Sequence, residues 1–132
     1  VKLHDDDNSK NYKRDLDLIN GICTVSYEKD GHQYSREYFA SNPDRLVCCR
    51  YTSSTSFSAV IRYARECNIS TVYSEDTIVA ESETADSAHR FKIIYRIKTD
   101  GQSAADESGI TISNANYIEI YSRTFTDFRS NC

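Results

Sequence analysis

Between Cys23 and Phe39 the chain reads Cys-Thr-Val-Ser-Tyr-Glu-Lys-Asp-Gly-His-Gln-Tyr-Ser-Arg-Glu-Tyr-Phe, two alternating runs about one Asp30-Gly31 pair. Asp-Gly supplies the two positive φ angles of a type I′ turn, whose twist suits a hairpin. With Asp30 and Gly31 as the loop, Tyr27 faces Tyr34, Val25 faces Arg36 and Cys23 faces Tyr38. Opposed residues share a face, so Cys23, Val25, Tyr27, Tyr34 and Tyr38 form one apolar, aromatic side. Thr24, Ser26, Ser35 and Glu37 fall on the wetter side. A slip of one residue would put the aromatics in water, so the register is well specified. Asn42-Pro43-Asp44 then turns the chain into a third strand, expected over residues 45–52.

Alternation recurs along the chain. Tyr12 to Leu18 reads as an extended or edge strand, closed by Asn20-Gly21. Residues 56–65 fit period two through Phe57, Ala59, Ile61 and Tyr63, and their β-branched and aromatic content favours a strand over a short helix. Residues 71–81 read as two short strands about Ser74-Glu75-Asp76, and residues 82–89 as a loop. Phe91, Ile93, Tyr95 and Ile97 mark a half-buried strand that Asp100-Gly101 ends. Ile110 to Ser113, and then Tyr117 to Phe125 after Asn114-Ala115-Asn116, complete the set. Short strands separated by turn signals, with no convincing helix, predict an all-β antiparallel sandwich of one domain over residues 1–132.

Composition narrows the function. The net charge of −4 is dispersed, leaving no basic stripe for nucleic acid. No apolar run approaches the roughly 18 residues of a membrane-spanning helix. The sequence holds no Met, so it is expected to be a piece of a longer protein. Asp5-Asp6-Asp7 lacks the alternation and turn glycine of a calcium loop. The five cysteines, Cys23, Cys48, Cys49, Cys67 and Cys132, lack the paired spacing of a zinc site. Cys23 and Cys49 read as small buried apolar residues, with a disulfide left open; adjacent Cys48 and Cys49 point to opposite faces. No cofactor is expected.

Catalysis by this chain is not expected. Glu37 and Glu119 are the carboxylates on strands that a glycosidase-type pair could use, and each fits ordinary solvent-facing alternation. His4, His32 and His89 are isolated and read as exposed. Most of the 10 Tyr and 5 Phe read as core, with Tyr63 and Tyr121 undecided as sugar platforms. Asn68-Ile69-Ser70 is a chance-level glycosylation match.

Tyr12-Lys-Arg-Asp-Leu-Asp-Leu18, Thr24-Val-Ser-Tyr27, Tyr34-Ser-Arg-Glu-Tyr-Phe-Ala-Ser41, Pro43-Asp44, Leu46-Val47, Lys98-Thr-Asp-Gly101 and Thr126-Asp-Phe-Arg129 together resemble the N-terminal β-domain of glycoside hydrolase family 95. That family consists mostly of α-L-fucosidases, with some α-galactosidases. The resemblance covers residues 1–130 in order, and the block from Arg14 to Ser41 is its specific part. It implies a piece of a super-β-sandwich that braces a catalytic α/α-barrel, the barrel being its partner. The family's catalytic residues belong to that barrel, so no catalytic, cofactor-binding or metal-binding residue is carried over to this chain. The chain departs from the family pattern at Ile22-Cys23 and Cys48-Cys49, with changes that suit a core. A free-standing carbohydrate-binding or adhesion sandwich is the alternative. Glycan binding and a homodimer through exposed strand edges are further expectations; a secreted or periplasmic parent would suit the family.

Overall fold

A computed structural model describes residues 9–64, 69–83 and 89–128. The expected strand end at Val1–His4, the acidic loop at Asp5–Asp7, Cys67, Asn68, Cys132 and residues 84–88 lie outside them. Nine strands follow in order: β1 (Lys10–Asp17), β2 (Ile22–Lys29), β3 (His32–Ser41), β4 (Leu46–Ile61), β5 (Ile69–Ser74), β6 (Thr77–Glu83), β7 (Arg90–Thr99), β8 (Gln102–Asp106) and β9 (Gly109–Thr126). All pairings are antiparallel. The order across the sheet is β1-β2-β3-β4-β9-β7-β6-β5, with β8 also on β9. The described residues contain no helix.

The hairpin forms in the expected register, Cys23 opposite Tyr38, Val25 opposite Arg36 and Tyr27 opposite Tyr34. Asp30 and Gly31 both take positive φ, 52° and 76°. The Ser41 hydroxyl donates to Asp44 Oδ2 at 2.5 Å, and the Arg45 N–H donates to Asn42 O at 3.2 Å, closing the turn about Pro43.

The middle of the sheet differs from the reading. The strands expected at 45–52 and 56–65 are one strand, β4, and the two expected on either side of Asn114 are one strand, β9. The apparent breaks are bulges. Thr99 pairs with Ile118 and Gln102 with Ser113, so residues 114–117 of β9 face only Asp100 and Gly101. On the other flank the β4–β9 register shifts between Thr52 and Phe57. Extra residues of this kind bend and twist a strand. Bulges free backbone N–H groups, which must find other acceptors. Asp100 supplies one: its Oδ1 accepts from the N–H groups of Asn116 (2.9 Å) and Tyr117 (3.1 Å), and its Oδ2 from the Asn116 side chain (3.0 Å). Asn114 sits at φ 55°. Gly101 is needed for space, because a Cβ there would stand 2.5 Å from Ser113 O. β8, in the polar run 102–106, was not expected; it continues the line of β7 past this bulge.

Bent there, the one sheet supplies both layers of an all-β sandwich. Ala59 and Ile61 from the end of β4, with Ile110, Ile112 and Ala115 from the start of β9, pack against Ile118, Ile120, Ile97 and Ile78. Ile110 and Ile112 are fully buried. Each such isoleucine contributes about 1.5–3 kcal/mol by leaving water. The far edge of the sheet closes over this core. The Tyr63 N–H donates to the Tyr73 hydroxyl at 3.2 Å, and the Ser103 hydroxyl donates to the carbonyl of Glu75. At the opposite end β1, β2 and β3 extend as a wing, and every residue of β1 is exposed.

Candidate functional site

Two faces of the sheet gather the side chains that sequence singled out. On the wetter face, register places Glu37 beside Arg50, Arg50 beside Glu119 and Glu119 beside Lys98, a row of alternating charge across four strands. Arg50 Nε lies 3.4 Å from Glu119 Oε1, and the Tyr121 hydroxyl donates to Glu119 Oε2 at 2.7 Å. That hydrogen bond, then burial, pushes the Tyr121 hydroxyl up to about 12. Cys48 is buried on this face, while Cys49 points to the core side, so the expected division holds. Burial, then the Glu119 charge, raises the Cys48 thiol, and burial raises Cys49. Both therefore stay protonated and poor nucleophiles at neutral pH. Cys23, Cys48 and Cys49 are free thiols.

Glu37 and Glu119 thus lie on one face, two strands or roughly 10 Å apart. A glycosidase pair needs open space between its carboxyls for the scissile bond. Here Arg50 stands between them in the register. A general acid also needs a carboxyl raised toward neutral pH. The carboxylates with resolved shifts move the other way, each held low first by a side-chain hydrogen bond: Asp17 by Asn20, Asp76 by Thr77, Asp100 by Asn116 and Asp106 by Ser108. They cap turns and a bulge.

The histidines divide. His32 is exposed beside the hairpin turn. His89 is half-buried rather than exposed, its Nδ1 3.6 Å from Asp127 Oδ1 and its ring edge-on to Phe128. Sequence gave no sign of this, since the contact joins residues nearly forty positions apart in two chain segments that meet only through β7 and β9.

The aromatic face is packed as expected. Tyr27 and Tyr34 stack at 5.2 Å with planes 10° apart, and Tyr38 meets Tyr51 edge-on at 6.3 Å. The Arg36 guanidinium lies 5.3 Å from the Tyr27 ring centre and donates to its hydroxyl at 3.2 Å. Burial, then Tyr38, raises the Tyr51 hydroxyl. Tyr63 packs into the core beside Tyr95, and Tyr121 belongs to the charged face. Tyr12 is the one exposed tyrosine of the ten, so no exposed tyrosine row forms a sugar platform. Where the wing leaves the body, a cleft of about 270 Å³ opens between Tyr27, Tyr34, Arg36, Tyr51 and Phe57. Sequence reading missed it, because the β4 bulge that carries Phe57 into place was read as a break.

Among the described residues no three His, Cys, Asp or Glu side chains come together to hold a metal ion, and no helix is long and apolar enough to cross a membrane. Comparison with known proteins gives two findings. The family model described as "Glycosyl hydrolase family 65, N-terminal domain" matches residues 1–131. The chain is also 42% identical over 43 residues to Alpha-L-fucosidase 2 of Arabidopsis thaliana, covering 33% of the chain and 5% of that relative. The family number differs from the one that the resemblance suggested. The recognition itself, an N-terminal domain of a fucosidase-like glycoside hydrolase, agrees with both findings.

Proposed function

The chain belongs to the glycosyl hydrolase family 65 N-terminal domain family, and on that premise we propose that it is the non-catalytic β-domain of an α-L-fucosidase-like enzyme, bracing a catalytic α/α-barrel. The family match over residues 1–131 carries the reading. The fucosidase relative supports the substrate class, although the match spans only 5% of its length. The chemistry of the chain supports a bracing role. Glu37 and Glu119 are tied into a charge row with Arg50 between them. The shifted carboxylates are held low in turns, opposite to what a general acid needs. On this reading residues 1–132 are one domain of a larger glycosidase, and the barrel is its principal partner. Strand-edge dimerisation is the secondary interaction.

Hydrolysis of aryl α-L-fucoside tests the proposal. The full-length protein is expected to cleave it, and the 132-residue chain alone is not. Activity in the isolated chain that is lost in Glu119→Gln would overturn the non-catalytic role. Cleavage of aryl α-galactoside in place of the fucoside would keep the role and change the sugar.

A further inference from the structure

The sheet face that carries the charge row holds a second feature nearer the end of the body. Register brings Ile94 of β7 beside Arg123 of β9. The β4–β9 ladder puts Leu46 one step past the Val47–Ser122 pair, on the other flank of Arg123. Along β9, Tyr121 and Phe125 share this face, two residues before Arg123 and two after it. These residues line a basin of about 190 Å³. Half-buried Leu46 and Ile94 form its floor, and exposed Asp44 and Arg96 stand on its rim. Phe125 is 41% exposed, and the Arg123 guanidinium lies over its ring, 4.8 Å from the centre. A guanidinium seated on a ring keeps N–H groups free for an outside acceptor.

The charges around the basin are matched except at two arginines. Arg96 is tied to Asp76 at 2.9 Å, and Lys92, opposite Phe125, to Glu81 at 2.6 Å. Arg90 is tied to Glu83 at 3.1 Å. Glu119 holds Arg50 and the Tyr121 hydroxyl, with Lys98 opposite it. Asp127 accepts from the Arg90 N–H and faces His89. Asp44 accepts from the Ser41 hydroxyl through Oδ2. Arg123, and Arg45 in the turn beside Asp44, are exposed and make no ion pair among the described residues. The basin thus combines an apolar floor, an unmatched guanidinium and one carboxylate at the rim.

We propose that this basin binds a carboxylated sugar, one uronate residue of an acidic oligosaccharide. The proposal goes beyond the reading above and does not depend on which bond the full-length protein cleaves. Arg123 offers the sugar carboxylate a two-pronged, charge-assisted hydrogen bond. Leu46, Ile94 and the Tyr121 ring offer an apolar floor to the C–H face of the pyranose. Asp44 offers an acceptor to its hydroxyls, which a bare anion lacks. Shape favours a sugar over an acidic peptide. Tyr121 and Phe125 stand four residues apart on β9, roughly 13 Å, and close the basin at both ends, so one ring fits and an extended chain does not. The basin also lies across β4, β9 and β7, away from the sheet edges where a peptide adds as a strand. A glycosyl hydrolase domain meets oligosaccharides in its ordinary work.

Phenylglyoxal modification of arginines, mapped by peptide mass spectrometry in the full-length polypeptide, reads the site directly. Trigalacturonate is the probe. It is expected to slow modification of Arg123 by the factor 1 + [L]/Kd, about threefold at twice Kd. Exposed Arg14 of β1 is expected to react at an unchanged rate. The methyl ester of the probe, the same sugar without the charge, is expected to protect Arg123 at least about tenfold less well, the cost of a charge-assisted hydrogen bond. Asp44→Ala separates a sugar from a bare anion by the sign of its effect. Loss of the hydroxyl acceptor is expected to weaken trigalacturonate about tenfold, whereas loss of a nearby negative charge would tighten a bare anion. A Tm within about 2 °C of wild type shows that the variant is folded, and the wild-type measurements stand without it. No protection of Arg123 up to the solubility limit of trigalacturonate would overturn the proposal, as would equal protection by the methyl ester. Tighter binding in Asp44→Ala, or protection by sodium acetate at the same concentration, would make the basin an anion site only. Protection by poly-L-glutamate and not by trigalacturonate would make the occupant an acidic peptide.

Discussion

β9 and β1 carry the same kind of alternation and come to opposite fates. Ile112 in β9 is fully buried, whereas Leu16 in β1 is 64% exposed. Both sit in antiparallel ladders with every second side chain on one face. The difference lies in what stands opposite. β9 pairs with β4 on one side and β7 and β8 on the other, and the bent sheet folds over it. Among the described residues β1 pairs only with β2. Alternation decides which face is apolar; whether that face is dry depends on a second layer, which period two does not encode.

The comparison is tested most severely in the body. Ile112→Ala removes a fully buried side chain from a core whose neighbours cannot all collapse, and should cost about 2–5 kcal/mol in urea unfolding. A cost as small as that of a surface change would mean that the body is not the stable half. Gly101→Ala should cost about 1–3 kcal/mol, because its Cβ would overlap the Ser113 carbonyl and Ala115 at the bulge. In the wing, Tyr34→Ala should cost about 1 kcal/mol, the loss of a stacked cross-strand pair with Tyr27. Leu16→Ala should change stability by no more than about 0.5 kcal/mol in the isolated chain.

The bulge adds a pH dependence. Asp100 is held below its ordinary value of 3.8, first by the Asn116 side chain and then by the Tyr117 N–H. A carboxylate depressed in the folded state binds fewer protons than in the unfolded chain. Its stabilisation is present above that ordinary value and is lost as pH falls through the lower folded value. The chain should therefore lose stability on the acid side, and Asp100→Asn should make that loss shallower. An unchanged acid limb in this variant would show that Asp100 does not hold the bulge.

The wing hairpin was legible because its signals are local. Asp30-Gly31 fixes the loop, and the loop fixes the three pairings Tyr27–Tyr34, Val25–Arg36 and Cys23–Tyr38. The bend was not legible, for an instructive reason. Asp100-Gly101 and Asn114-Ala115-Asn116 each look like the end of a strand, yet they face one another, and Asp100 satisfies the amides that the extra residues of β9 release. Turn residues far apart in sequence cancelled as turns and combined as a bulge. β8 escaped notice because Gln102-Ser-Ala-Ala-Asp106 has little strand propensity; the line of β7 and the edge of β9 hold it in place. At the candidate site, sequence put Glu37 and Glu119 on one solvent-facing side but could not place Arg50 between them, which depends on the order β3-β4-β9.

Native-state hydrogen exchange of the isolated chain, read strand by strand, tests the contrast between body and wing most directly. The amides of β9 and of the β4 segment paired with it should exchange only through global opening, while β1 and its partner β2 open at a fraction of that free energy. Uniform protection from β1 to β9 would contradict the account, because it would make the uncovered wing as cooperative a part of the fold as the core.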